Sequence, residues 1–306
     1  MSEAHVQPAA RQARLTDLLD AALLARLDAL DVMSRKILQG KLKGERRSKR
    51  RGQSVEFADH RPYVSGDDLR FLDWNIYGRL DQLFLKLYLE EQDLSVHILL
   101  DSSGSTASGD PPKDLAMKRL AAALAYVGLA NNNRVSLCTF ADGLTGRLTN
   151  MRGRNYLHPM AEFLLDAKAE GLSHFDKACR QWVAGRIGSG VTVVLSDFFF
   201  KEGLDAGLKR LVSDRYELFV VQMLSPQERK PELMGDLRLV DLEDADVADI
   251  TVSRALLDFY KRNLAAYCNM LKDFCTRRGA TYVLADSAEP VERLVLEHLR
   301  RHRLLG

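Results

Sequence analysis

The residues best suited to chemistry are Asp101-Ser102-Ser103-Gly104-Ser105, which follow the apolar run LSVHILL. One carboxylate and two hydroxyls spaced two residues apart can converge on a point, and Gly104 between the serines permits a tight turn. Donors that are all oxygen suit a hard cation, Mg²⁺ or Mn²⁺, and not zinc. A cluster of this kind needs oxygens from elsewhere in the chain. Asp197 closes a second apolar run, VTVVLSD, and Ser173 stands in Gly171-Leu172-Ser173-His174, just ahead of a helical pattern. Asp101, Ser103, Ser105, Ser173 and Asp197 are therefore the candidate metal ligands. The plainer alternative is a polar loop and a serine that cap helices. For Ser173 the two roles are compatible. The imidazole of His174 is out of place among hard donors.

Ligands of an open α/β sheet bind outside the carboxyl ends of its strands, so both aspartates need to end neighbouring strands. The surrounding pattern supplies such strands. Buried-type runs at 94–101, 134–140, 191–197, 216–224 and 281–286 alternate with amphipathic helical stretches at 113–130, 155–169, 174–187, 203–213, 253–278 and 290–302. A strand at 143–149 turns back through Ala141-Asp142-Gly143, and short strands are possible at LRLVDL and DITV. Alternation of this kind implies a mostly parallel sheet flanked by helices, with right-handed crossovers. Ahead of it, leucines recur at helical spacing from Leu15 to about 43, with Thr16 as a candidate cap, and LDQLFLKLYL (80–89) reads as a strand.

Asp101, Ser103 and Ser105 resemble the DxSxS motif of the metal-ion-dependent adhesion site of von Willebrand factor A domains. Ser173 falls five residues before Ala178, as the motif threonine of that family precedes its alanine, and Asp197 matches its last aspartate. The resemblance implies a Rossmann-like sheet in which the strands at 94–101 and 191–197 are neighbours. It implies direct ligation by Ser103 and Ser105, and an open coordination position that accepts a carboxylate from a partner. The sequence departs from the motif at Ser173, where the family has threonine, and at Leu172, often glycine. A wider stretch, RRGQSVEFADHRPYVSGDDLRFLDWNIYGRLDQLFLKLY, is similar to the family known as domain of unknown function 58, with RPYVSGDD and LRFLDW as its distinctive part. Genes of that family commonly accompany a MoxR-type AAA+ ATPase, which the resemblance offers as a partner.

Composition narrows the function further. The net charge is +2, yet KLKGERRSKRR (41–51) alone carries seven basic residues and one acidic one. The chain is thus not globally basic, and no aromatic residue interrupts the run to build a stacking platform. The basic run reads as a solvated linker, with nucleic-acid binding through it an alternative. Cys138, Cys179, Cys268 and Cys275 show no CxxC spacing and read as small buried thiols. The polar N-terminus and the lack of eighteen consecutive apolar residues point to a cytoplasmic protein without a transmembrane segment. The expected layout is a disordered tail (1–14), an N-terminal helix, basic linker and extension (15–90), and a von Willebrand factor A-like domain (91–306). In 61–74, residues Arg61, Asp67, Asp68, Arg70 and Asp73 read as an ion-pair and turn network that fixes the extension against the sheet, with Trp74 packed. Phe198-Phe199-Phe200 read as core, with contact to a partner the alternative. The function expected is Mg²⁺-dependent protein binding without catalysis, the partner being a AAA+ ATPase or its client supplying an acidic residue. A Mg²⁺-dependent hydrolase or phosphotransferase using Asp101 is the competing reading, although such motifs want a second aspartate at position 103.

Overall fold

The computed structural model describes residues 15–34, 56–89, 94–185, 188–232, 235–240 and 247–306. The expected disordered tail and the basic run at 41–51 lie outside these residues. The described chain divides into two compact units, one formed by the residues up to 34 and from 94 onward, the other by 56–89.

The larger unit is built on a six-stranded sheet. Its strands are β3 (Leu94–Asp101), β4 (Arg134–Ala141), β5 (Gly143–Met151), β6 (Ser189–Ser196), β7 (Tyr216–Leu224) and β8 (Thr281–Asp286), in the order β8-β7-β6-β3-β4-β5. All neighbours are parallel except β4 and β5, which form an antiparallel hairpin at one edge. This is the mostly parallel sheet, flanked by helices, that the alternation of patterns predicts.

The central strands are apolar on both faces because helices cover both. Val96, Ile98 and Leu100 face one core with Met117, Leu120 and Leu124 of helix Lys113–Ala130, whereas Leu99 faces a second core with Phe175, Trp182 and Leu208. The period of two along a strand divides the side chains between the cores in this way. Edge strand β5, by contrast, alternates between half-buried and exposed residues over Leu144–Thr149.

Register then decides where the aspartates fall. Strand β3 pairs with β6 from Leu94↔Ser189 to Leu100↔Leu195, so Asp101 and Ser196-Asp197 emerge side by side at the carboxyl end of the sheet. The adjacency of these two strands agrees with the expectation from the motif.

Two sequence expectations need correction. The helix from 15 to 43 is not continuous: a 3-10 turn at Leu15–Asp17 precedes helix α1 (Ala21–Leu27), and Val32 makes a bridge with Leu305 in extended chain. Asp20, not Thr16, caps α1, its side chain accepting from Leu23 N at 2.7 Å. Asp20 is extended, which breaks the helix while leaving Leu18, Leu19, Leu23, Leu27 and Leu30 buried in the core. Residues 35–43 lie outside the described chain. The strand assigned to 80–89 begins only at Phe84, since Trp74–Leu80 is helical and ends at Asp81 in the left-handed region, φ 51°.

The smaller unit is an antiparallel pair, β1 (Glu56–Pro62) with β2 (Phe84–Leu89), and the helix Trp74–Leu80, here α2. The last helical segment of the chain, at Val291–Arg293, passes into a π-type turn at Leu294–Leu299.

Candidate metal centre

Asp101 is the most heavily constrained group at the sheet's carboxyl end. Its Oδ1 accepts from Ser103 N at 2.9 Å and Ser103 Oγ at 2.7 Å, and its Oδ2 accepts from Ser196 Oγ at 2.6 Å. Ser103 Oγ lies 3.2 Å from Ser105 Oγ, so the two motif hydroxyls and the carboxylate share one small volume. A 3-10 turn over Gly104–Ala107 aims these side chains. Thr106 Oγ1 donates to Ser103 O and Ser108 Oγ to Ser105 O, each at 2.7 Å. Burial first, and the neighbouring Asp197 carboxylate second, push the Asp101 carboxyl up to about 7. Burial disfavours the ionised form, and the Asp197 carboxylate adds a local negative potential that a bound cation would offset.

Ser173 reaches the same end from another loop. Gly104 N donates to Gly171 O and Glu170 N to Ser102 O, both at 2.9 Å, which laces the two loops together. Ser173 Oγ is buried without a hydrogen-bond partner among the described residues. A buried hydroxyl is seldom left so, because desolvation without a partner costs about 1–3 kcal/mol. His174 is turned elsewhere, its Nδ1 lying 3.1 Å from Asp142 Oδ1.

Asp197 sits on a turn that costs energy to hold. The next residue, Phe198, is fully buried and has φ 60°, a left-handed conformation that bulky residues seldom adopt. Several contacts hold it there. Phe198 N donates to Ser196 Oγ at 2.8 Å, Tyr267 Oη donates to Phe198 O, and Gln222 Nε2 donates to Asp197 O at 2.9 Å. The Phe198 ring also packs edge-on against Phe175 and Phe200. The aromatic run therefore divides: Phe198 is core, Phe200 is partly buried and stacks on Phe175, and Phe199 is exposed beside Tyr267.

The carboxylate of Asp197 is not free. The fully buried ammonium of Lys113 donates to Asp197 Oδ2 at 2.7 Å and also to Glu228 Oε1. Burial alone would lower the Lys113 ammonium, but the Asp197 and Glu228 carboxylates overcome that and raise it, so it stays charged.

The donor set fits a hard divalent cation. It offers three clustered oxygen groups in Asp101, Ser103 and Ser105, an orphaned buried hydroxyl in Ser173, and a second carboxylate in Asp197. Among the described residues no three His, Cys, Asp or Glu side chains group closely enough to hold a metal. Any such ion would thus depend on the hydroxyls.

A family model described as "Protein of unknown function DUF58" matches residues 59–267. The chain belongs to this family. Relatives of the DUF58 chain include uncharacterized proteins of Mycobacterium bovis and Mycobacterium tuberculosis, each 25% identical over 257 residues, or 82% of this chain and 80% of the relative. Similar solved structures include BatB from Bacteroides thetaiotaomicron, 13% identical, covering 68% of this chain and 98% of that one, with a TM-score of 0.43. An aerotolerance-related membrane protein from Bacteroides fragilis is 17% identical, covering 68% and 99%, with a TM-score of 0.44. The SpRpn10 VWA domain is 13% identical, covering 66% and 93%, with a TM-score of 0.40. No described helix of the present chain is long and apolar enough to cross a membrane.

The segment 61–74, within the matched region, is an ion-pair and turn network. Arg61 pairs with Asp67 through two bonds of 2.8 Å, and Asp68 caps a short turn and binds Arg70. Asp73 caps α2 through Asn75 N and Ile76 N and meets His60 Nε2 at 2.9 Å. The His60 hydrogen bond is the main reason that the Asp73 carboxyl falls to about 2. The expected packing of Trp74 is not found, since 65% of it is exposed. Being the first residue of a helix capped by Asp73, it points its side chain outward from that turn.

Sequence reasoning missed Ser196, Lys113 and Glu228. Ser196 carried a signal, a hydroxyl directly before the strand-end aspartate. Lys113 and Glu228 carried none, being 84 and 115 residues away from their partners in Asp197 and Lys113.

Proposed function

We propose that this DUF58 chain is a protein-binding module that holds Mg²⁺ or Mn²⁺ on Asp101, Ser103, Ser105, Ser173 and Asp197 and engages an acidic residue of a partner through that ion. The observation that carries the reading is the buried, unpartnered hydroxyl of Ser173, tied by backbone hydrogen bonds to a loop whose other hydroxyls already converge on Asp101. When bound, the ion supplies Lewis acidity toward an incoming carboxylate. The protein's own groups supply position: Ser196 orients Asp101, and the Phe198 turn orients Asp197.

Binding is favoured over hydrolysis by the state of Asp101. A carboxylate that accepts three hydrogen bonds and is fully buried is a poor nucleophile. On the resemblance that the sequence carries, the partner is a MoxR-type AAA+ ATPase or its client, the role is assembly, remodelling or metal insertion, and the setting is the cytoplasm.

The test is a pull-down of a MoxR-type AAA+ ATPase from the same organism, with Mg²⁺ and with EDTA, using wild type and the Ser103→Ala/Ser105→Ala variant. Capture that needs Mg²⁺ and is lost in the variant supports the reading. Capture that persists in EDTA refutes the metal bridge. Phosphatase activity of wild type that disappears in Asp101→Ala would replace the binding module by a hydrolase.

A further inference from the structure

Lys113 is hard to explain as a folding residue. It opens the 18-residue helix Lys113–Ala130, where the helix dipole is positive and a cation is disfavoured. It is also fully buried, with an ammonium whose desolvation costs several kcal/mol in general. The fold accommodates it by placing two carboxylates on the nitrogen, Asp197 and Glu228. Glu228 is itself fixed. Its Oε2 accepts from Ser225 N at 2.8 Å, its own N–H donates to Ser225 Oγ at 3.2 Å, and its carbonyl accepts from Tyr260 Oη at 2.8 Å. The ammonium is therefore clamped in place and not mobile on its stem.

We propose that Lys113 is a resident counter-cation of the metal centre: clamped between Asp197 and Glu228, it claims Asp197 Oδ2 and keeps the affinity for a divalent ion low until a partner carboxylate arrives. This inference rests on the metal reading above. The charges account for the effect. Asp101, Asp197 and Glu228 sum to −3 when ionised, and Lys113 reduces this to −2. It also occupies one of the two oxygens that Asp197 could offer. A hard ion near this site is repelled by the ammonium and attracted by each carboxylate, in a region of low effective dielectric. An ion held by few anionic ligands stays receptive to an external one, so the lysine makes ion and partner bind together more than either alone.

The signs differ between the two arms of the clamp, and this makes the proposal testable. Lys113→Met removes the positive charge and frees Asp197 Oδ2, while Oδ1 still accepts from Phe199 N at 3.1 Å, so Mn²⁺ should bind roughly tenfold or more tightly. Glu228→Gln removes a negative charge but leaves Lys113 on Asp197, so Mn²⁺ should bind several-fold more weakly. The measurement is free Mn²⁺ by electron paramagnetic resonance during titration of the full-length protein. Circular dichroism reports that each variant is folded, and Ser103→Ala/Ser105→Ala serves as the site-null control. If Lys113→Met does not fold, Lys113→Gln, equally uncharged but able to hydrogen-bond to Asp197 and Glu228, takes its place with the same tightening expected. Tightening in the first and weakening in the second support the proposal. It is also supported if wild type shows no Mn²⁺ binding while Lys113→Met does. Affinities within twofold of wild type, or weaker binding by Lys113→Met, overturn the counter-cation role and leave the metal reading standing. No Mn²⁺ binding by wild type or either variant overturns both.

Discussion

Removing one hydroxyl, that of Ser196, should disturb both halves of the site at once. Ser196 is fully buried, and its Oγ donates to Asp101 Oδ2 at 2.6 Å while accepting from Phe198 N at 2.8 Å. Ser196→Ala deletes a hydrogen bond to a charged group, worth about 1.5–3 kcal/mol, and orphans a buried N–H at about 1–3 kcal/mol. Partial relaxation will recover some of this, so a loss of about 3 kcal/mol is expected in the unfolding free energy of the sheet unit. For a domain of this size that corresponds to roughly 6–12 °C in melting temperature. The left-handed Phe198 adds a reason for the loss to be large. Such a residue costs on the order of 1–3 kcal/mol, and Ser196 is one of the groups that hold it. Urea unfolding followed by tryptophan fluorescence and circular dichroism measures the change, in EDTA so that metal does not contribute. Ser196→Cys separates volume from hydrogen bonding. The thiol fills the space but is a weak donor, so it should lose most of the same stability. On the metal reading, Mn²⁺ affinity should also fall by roughly tenfold or more, because a partner that orients a ligand commonly matters to that degree. If Ser196→Ala stays within about 0.5 kcal/mol of wild type, the turn is held by Tyr267 and Gln222 alone and the account of Ser196 is wrong.

The pH dependence of the metal-free protein should carry the mark of Asp101. Its folded carboxyl, up to about 7 from an ordinary 3.8, binds a proton that the unfolded chain has already released. Stability from this group is therefore present below about pH 4 and lost as pH rises toward 7. Urea midpoints of wild type should fall relative to Asp101→Asn across that window, and a constant difference between the two would refute the assignment. Gly190→Ala should abolish folding or cost more than about 3 kcal/mol, since φ is +153° and an added Cβ would lie 2.2 Å from Ser95 O on the neighbouring strand; normal soluble yield and melting temperature would contradict this. Phe175→Ala should cost about 3–5 kcal/mol, because the ring is fully buried and stacked on Phe200 at 4.6 Å. A loss under 1 kcal/mol in urea unfolding would show that this aromatic cluster is not packed as described.

What the sequence disclosed and what it withheld follow from the range of the interactions. The strands ending in Asp101 and Asp197 were legible because both are unbroken apolar runs, and a run buried on two faces has few other homes. Their adjacency was legible through the motif, and the helices from 113 to 277 through their periodicity. The early helix was misjudged because leucines at helical spacing are equally satisfied by a turn, a cap at Asp20 and a short helix, all packed on one core. Trp74 was misjudged because hydrophobic character argues for burial only on average. Lys113 was out of reach for a different reason. In KDLAMKRL it reads as a surface charge on the first turn of a helix, and nothing local distinguishes it. Only register, which sets β6 beside β3, and the later turn at Ser225–Arg229 bring its carboxylates to it.

That distinction helps to separate a binding site from a capped loop. Helix capping satisfies backbone groups and lowers the energy of the fold. Here the carboxyl end of the sheet gathers features that raise it. Asp101 is buried so far that its proton is retained toward neutrality, Ser173 keeps a hydroxyl without a partner, Phe198 is held left-handed, and Lys113 is an ammonium at the wrong end of a helix dipole. Any one of these could be an accident of packing. They involve four separate stretches of chain, and three of them bear on the same two aspartates through hydrogen bonds, charge or direct succession. A cation bound among these oxygens would relieve the first two of these costs directly, the buried carboxyl and the orphaned hydroxyl.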